Sequence, residues 1–324
     1  MSIRDAGLLS RSRLLAIVTS RPFLTFAIVA LVWIVASFVT RGFGAYGHLR
    51  YLVELAAVIG IVAAGQTFVV IAGGIDLSVA AIVTVAAVGL PLFAIDADPT
   101  GLTPILAVLA MTTAIGLVNG LGVALLRVHP MIMTLAMATF LQGLLIIIAG
   151  GSAVTAANPL VSWVGNARPF GIPAGILVWV VISVIVLVVM HATPFGARLF
   201  AMGAGPLAAK LSGVPIASTT MAVYGISGFM SGLAGIIVLG MNGQGYVGIG
   251  DPYLLASIAA VVLGGTSILG GLGTYAGSIP GAILLVTITA LITVVNASPG
   301  WRSILFGTLI LALLLLSGRE AARR

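Results

Sequence analysis

Gly73-Gly74-Ile75-Asp76-Leu77-Ser78 interrupts two long apolar runs, one closing at Ala72 and the next opening at Val79. A carboxylate, a hydroxyl and two glycines in that setting are hard to account for by packing alone. An ionisable side chain at membrane depth costs about 2.5–3.5 kcal/mol on insertion scales, so it faces a cavity or a partner. Helices broken at such depth tend to line a pathway. The other reading is a cytoplasmic turn in which Asp76 caps the next helix through its backbone amides. The two readings are compatible.

The surrounding composition excludes a soluble globule. Hydrophobic residues make up 60% of the chain and charged residues 6%, where soluble domains carry about a quarter charged. Mean hydropathy is +1.27. At about twenty residues per crossing, 324 residues accommodate roughly ten spans. They are expected near 23–40, 51–72, 79–95, 103–125, 131–149, 174–191, 219–240, 254–264, 275–295 and 303–317. The eighth is too short for a regular crossing and reads as a half-helix or re-entrant piece running into a glycine-rich segment. The fold expected is therefore an all-α polytopic membrane protein with broken or re-entrant helices. It divides into a cytoplasmic N-terminal segment (1–21), a transmembrane domain (22–317) and a cytoplasmic tail (318–324).

Charge orients the chain. With both termini cytoplasmic, ten basic residues fall inside (Arg4, Arg11, Arg13, Arg21, Arg127, Arg198, Lys210, Arg319, Arg323 and Arg324) and four outside (Arg41, Arg50, Arg168 and Arg302). This agrees with the positive-inside rule, and the reverse orientation does not. The net charge of +7 comes from single residues around apolar segments, with no aromatic-interleaved stripe, so no nucleic-acid partner is expected. The first apolar run, Pro22 to Thr40, is too long for a signal-peptide core and reads as an uncleaved span. The partner it requires is the lipid bilayer.

Two loops stand out. Residues 150–173 lie outside and carry Trp163 as an interfacial anchor. The inside loop, 192–218, contains Pro206-Leu207-Ala208-Ala209-Lys210-Leu211, a short helix opened by proline and closed by Ser212-Gly213. Six helical residues are marginal alone and need something to dock against. Gly116/Gly120, Gly228/Gly232 and Gly277/Gly281 form small-xxx-small pairs for close helix approach. The chain also echoes itself: Val69-Val70-Ile71-Ala72-Gly73-Gly74 resembles Val261-Val262-Leu263-Gly264-Gly265, at an offset of about 191.

Several chemistries are missing. There is no cysteine, and the only lysine, Lys210, follows Ala209, so no Walker-type phosphate loop exists. An ATP-driven process needs its ATPase on another polypeptide. His48, His129 and His191 lie far apart, and neither a metal site nor a cofactor is expected. Gly225-Ile226-Ser227-Gly228 resembles the nucleophile motif of rhomboid-type intramembrane proteases. A serine nucleophile needs a base, and no histidine follows His191; Ser227 reads as a small packing residue, and the chain as no enzyme. Arg50 and Glu54, four residues apart, are expected to pair.

Four segments resemble, in order, the permease subunits of ribose-type ABC sugar importers, a family that also includes branched-chain amino-acid permeases. They are GGIDLSV (73–79), NGLGVALLRVHPMIMTLAM (119–137), TPFGARLFAMGAGPLAAKLSGV (193–214) and IAAVVLGGTSILGGLGTYAGSIPGA (258–282). The family glycines and acid are Gly73, Gly74, Asp76, Gly264, Gly265, Gly270 and Gly271. The resemblance implies a bacterial inner-membrane protein that pairs with a second permease subunit, identical or paralogous. It also implies separate ABC ATPase subunits and a periplasmic or lipid-anchored solute-binding protein.

By the same resemblance, Arg198, Gly203, Gly205, Pro206, Ala208, Ala209, Lys210, Leu211 and Gly213 belong to the ATPase-coupling region, with Gly205 and Gly213 setting its angles. Candidates for the solute pathway are Asp76, Ser78, Asn119, Thr134 and Asn296. The chain departs from the family pattern at Gly205, where asparagine is common, at Gln142, and at Leu254-Leu255-Ala256. The solute expected is a monosaccharide or a related polyol. The alternatives are a branched-chain amino-acid permease and an ion-coupled secondary carrier.

Overall fold

Only Glu54, Gln66 and Thr67 interrupt the apolar run from Leu52 to Ile71, and a helix apolar on every side belongs in an interior. The computed structural model, which describes residues 21–93, 102–155, 158–294 and 298–321, puts it there. Helix α2 (Tyr46–Ile71) is buried almost continuously from Leu52 onward. Around it the chain runs through α1 (Arg21–Val39), α3 (Val79–Leu92), α4 (Thr103–Ala124), α5 (Pro130–Ala149), α6 (Pro159–Asn166) and α7 (Ala174–Ala192). Then come α8 (Pro194–Ala204), α9 (Pro206–Leu211), α10 (Ile216–Asn242), α11 (Pro252–Leu263), α12 (Tyr275–Val294) and α13 (Pro299–Ala321). The one sheet among the described residues is a two-residue antiparallel ladder, β1 (Val154–Thr155) on β2 (Gln244–Gly245).

Seven of these helices, namely α1 from Pro22, α2, α4, α5, α7, α10 and α12, are long and apolar enough to cross a bilayer. The eighth expected span is α11, whose 12 residues extend about 18 Å at 1.5 Å per residue. That is well short of the roughly 30 Å hydrocarbon core, as a half-helix should be. Residues 79–95 were expected to cross as a full span, but α3 has only 14 residues, about 21 Å. Both short helices adjoin glycine-rich breaks. The chain after α10 runs back along α3, with Gly245 against the Ala87 carbonyl and Gly250 against that of Ala80. Gly250 N also donates to Thr84 Oγ1 at 3.1 Å.

Helix α10 is the second interior element, packed most extensively on α4, α2 and α3. The small-residue pairs make this possible within one chain. A Cβ on Gly116 would strike the Tyr224 carbonyl, one on Gly120 would lie 2.6 Å from Met221 Cα, and one on Gly228 would strike the Thr112 carbonyl. Gly277 and Gly281 do the same for α12 against Gly264 and Ala260 of α11. By contrast, α1 and α5 leave most of their apolar surface outward, including Phe38, Phe140 and Ile147, as suits helices facing lipid.

The expected Arg50–Glu54 pair does not form. Arg50 Nη1 donates to the Gly171 carbonyl at 3.0 Å, and its guanidinium lies over the Tyr46 ring, 5.7 Å from the centroid. The carbonyl of a neighbouring loop captures the guanidinium, while Glu54 is almost wholly buried on α2.

The α4–α10 contact yields a test. Gly228→Val adds volume where backbone meets backbone, and overpacking of this kind costs about 1–3 kcal/mol. Its thermal unfolding midpoint in detergent is expected to drop clearly. Gly143→Ala, whose added Cβ meets nothing within 4 Å, is expected to leave the midpoint unchanged or slightly raised.

Candidate functional site

Two segments carry most of the candidate residues: the break between α2 and α3, and the α8–α9 elbow. They meet in space.

The break begins with a left-handed glycine. Gly73 has φ +85°, its N–H donates to Val70 O and that of Gly74 to Val69 O, both at 2.9 Å. This is the six-to-one and five-to-two bonding of a Schellman cap, which satisfies the last carbonyls of a helix. At Gly74 the requirement is space, since a Cβ there would sit 2.6 Å from the Tyr224 hydroxyl.

Asp76 follows, fully buried. Its Oδ1 accepts from Ser78 N at 2.9 Å and Ser78 Oγ at 2.6 Å, and its Oδ2 accepts from Ser227 Oγ of α10 at 2.7 Å. Asn119 Nδ2 of α4 donates in turn to Ser78 Oγ at 2.9 Å. Leu77 N donates to Thr134 Oγ1 of α5 at 3.0 Å, and that hydroxyl donates back to Pro130 O at 2.9 Å. With its amide nitrogen turned toward the Asp76 carbonyl, Gln66 of α2 bonds both backbone groups of Asp76 at 3.3 Å.

Four of the five pathway candidates, Asp76, Ser78, Asn119 and Thr134, are thus brought into one network, all fully buried within the chain. Asn296 lies outside the described residues. Asp76 does not cap α3 as the cap reading had it: the helix has no side-chain cap bond, and Asp76 instead bonds the amide and hydroxyl of Ser78, the residue ahead of the helix, and joins neighbouring helices besides. Its partners Gln66 and Ser227 were not foreseen as such. Ser227 lies among glycines, where a serine reads as one more small residue; only the depth of the carboxylate signals that it needs a donor.

The echo seen in the sequence is the same cap built twice. Gly265 has φ +88°, with its N–H on Val262 O at 2.9 Å and that of Thr266 on Val261 O at 3.2 Å. Both broken ends abut the elbow. A Cβ on Gly203 would collide with Ile71 O and lie 2.5 Å from Gly271 N. Gly271 N itself donates to Ile71 O at 2.9 Å, and Gly270 packs on Gly73. The C-terminal end of α8 therefore rests backbone to backbone on the end of α2 and on the loop after α11.

Beyond Gly203 the chain turns outward. Gly213 (φ +83°) closes α9 with a third Schellman cap, Gly213 N on Lys210 O and Val214 N on Ala209 O, both 3.0 Å. Gly205 was expected to set an angle by virtue of being glycine, but its φ of −177° is extended backbone open to any residue. A Cβ there meets only Ala208 Cβ, at 3.8 Å. On α9, Ala209 is buried while Leu207 and Leu211 are 73% and 82% exposed. A cleft of about 730 Å³ beside them is lined by Arg127 and Lys210, neither ion-paired nor hydrogen-bonded through its side chain among the described residues. Arg198 is also exposed.

The carboxylate network has a measurable weight. Hydrogen bonds to charged groups contribute about 1.5–3 kcal/mol, and an orphaned buried donor costs about 1–3 kcal/mol. Asp76→Ala, which strands Ser78 and Ser227, is expected to lower the unfolding midpoint in detergent more than Ser227→Ala does. Equal midpoints for both variants and the wild type would show the network to be dispensable.

Comparison with known proteins accords with this architecture. Residues 49–314 match the family described as branched-chain amino acid transport system, permease component. The chain is similar to the ribose import permease protein of Bacillus subtilis (strain 168), 31% identical over 85% of this chain and 86% of the relative. It is likewise similar to the L-arabinose transport system permease protein of Escherichia coli (strain K12), 31% identical over 88% and 87%. The galactose/methyl galactoside import permease protein of Haemophilus influenzae (strain ATCC 51907 / DSM 11121 / KW20 / Rd) is 32% identical over 68% of each chain. No solved structure matches. With its broken helices, elbow and matched residues taken together, the chain belongs to the permease family of the branched-chain amino acid transport type, which includes these sugar permeases.

Proposed function

We propose that this chain is the membrane-spanning permease subunit of an ABC importer for a monosaccharide, pentose or hexose, or a related polyol, in a bacterial inner membrane. Both termini face the cytoplasm. Separate ATPase subunits supply the energy, a second permease copy or paralogue completes the pathway, and a solute-binding protein delivers the cargo. The observation that carries this reading is the elbow. It pairs an exposed apolar face (Leu207 and Leu211) and free cations with main-chain contact onto both broken helices. The solute class follows from the names of the relatives.

The mechanism follows from rigidity. A partner gripping α9 moves α8, and α8 has no side chain at Gly203 to yield. The displacement passes to the end of α2 and to the 264–273 loop. Only a difference in partner affinity between the two arrangements drives such an exchange. Asp76, Ser78, Asn119 and Thr134 border the pathway from within and hold the shape of the break while it moves.

Three variants separate docking from transmission. Replacing Leu207 and Leu211 together by Asp is expected to leave membrane insertion intact and to cut ATPase co-purification by at least about tenfold, a loss of about 1.4 kcal/mol. Gly203→Leu is expected to keep the ATPase bound yet abolish uptake, while Gly205→Asn retains both. Uptake surviving the double substitution refutes the coupling role. Solute accumulation by the chain alone in liposomes with an ion gradient points instead to a secondary carrier, and leucine-type rather than sugar binding by the delivery protein to an amino-acid permease.

A further inference from the structure

At the end of the bundle opposite the elbow lies a cavity of about 360 Å³ between α2, α11, α12 and α13, within the usual size of a small-molecule site. Its buried wall is hydrocarbon: Leu52, Ile59, Ala256, Val286 and Phe306. Two threonines also line it, but their hydroxyls are spent on their own helix, Thr289 on Leu285 O at 2.8 Å and Thr293 on Thr289 O at 3.0 Å. A sugar would find few donors or acceptors there.

The other polar lining residues are His48, Tyr51, Tyr253 and Arg302. Arg302 is half-buried and makes no hydrogen bond or ion pair through its side chain among the described residues. His48 Nε2 is buried without a partner. The N-termini of α2 and α13 begin beside these residues with no acidic residue in their first turns, while α11 begins with Asp251 as its N-cap; helix N-termini favour negative charge. Asp251 and Glu54 are nearby in sequence but do not line the cavity.

We infer that this cavity binds a phospholipid with an anionic head group, its acyl chain along the hydrocarbon wall and its phosphate on Arg302 and His48. An apolar shaft with one unpaired cation in its lining, set at the end of membrane helices and flanked by Tyr51 and Tyr253, matches an amphiphile at the interface. Which leaflet supplies the lipid rests on the orientation proposed above; the binding itself does not.

Native mass spectrometry of the purified full-length chain, titrated with phosphatidylglycerol or phosphatidylcholine, tests the inference. Wild type is expected to hold one phosphatidylglycerol about fivefold more tightly, the equivalent of about 1 kcal/mol for one basic residue facing an anionic head. Arg302→Gln is expected to bring the two lipids within about twofold of each other. Arg41→Gln, an exposed arginine outside the cavity, is expected to keep the preference. Ala290→Phe fills the shaft and is expected to abolish retention of both lipids; if it does not fold, Arg302→Gln decides alone. The inference is overturned by equal affinity in wild type, by an undiminished preference in Arg302→Gln, or by displacement of the lipid with inorganic phosphate or ribose. It is also overturned if lipid is retained on monomers and absent from dimers, since a second copy then covers the cavity.

Discussion

A carboxylate sealed inside a membrane bundle must have its partners supplied by the bundle itself, and the arrangement of this protein follows from meeting that demand at Asp76. Water is not available to repair a faulty contact, so each donor has to come from a defined place on a neighbouring helix. Ser227 fixes α10 against the break, Asn119 fixes α4 through Ser78, and Thr134 fixes the start of α5. Three helices are thereby referenced to one short break that belongs to none of them. Close glycine contacts between α4 and α10 then bring those helices within reach of it.

The two halves of the break machinery share a construction. The ends of α2 and α11 carry the same valine pair and the same left-handed glycine, and both terminate by returning their last carbonyls to the following amides. Such ends satisfy most of their own carbonyls, and Gly271 N takes the last one of α2, Ile71 O, which lets a helix stop within protein at membrane depth. The chain uses this device where the elbow touches it, and again to close α9.

Much of this was legible from residues. Long apolar runs marked the spans, because in a bilayer nothing else satisfies the backbone. The length of 254–264 alone betrayed α11 as a short helix. Proline at 206 and glycine at 213 marked α9, because each removes or permits one backbone conformation. What escaped reading depends on three-dimensional proximity. Ser227 and Gln66 carry no local sign of their partner. Arg50 finds a loop carbonyl 121 residues away in place of the glutamate one turn on. The end of α3 at Leu92 was hidden because its apolar composition continues past the helix.

The atoms nearest the seat of Gly203 on Ile71 and Gly271 are all main-chain. No exchange of one side chain for another can adjust it by degrees; the seat is either kept or lost. The exposed leucines and the lysine of α9 have no such limit. Under the proposed function, adaptation to a different motor subunit would be written on the outer rim of the elbow, while its inner bearing stays the same part throughout.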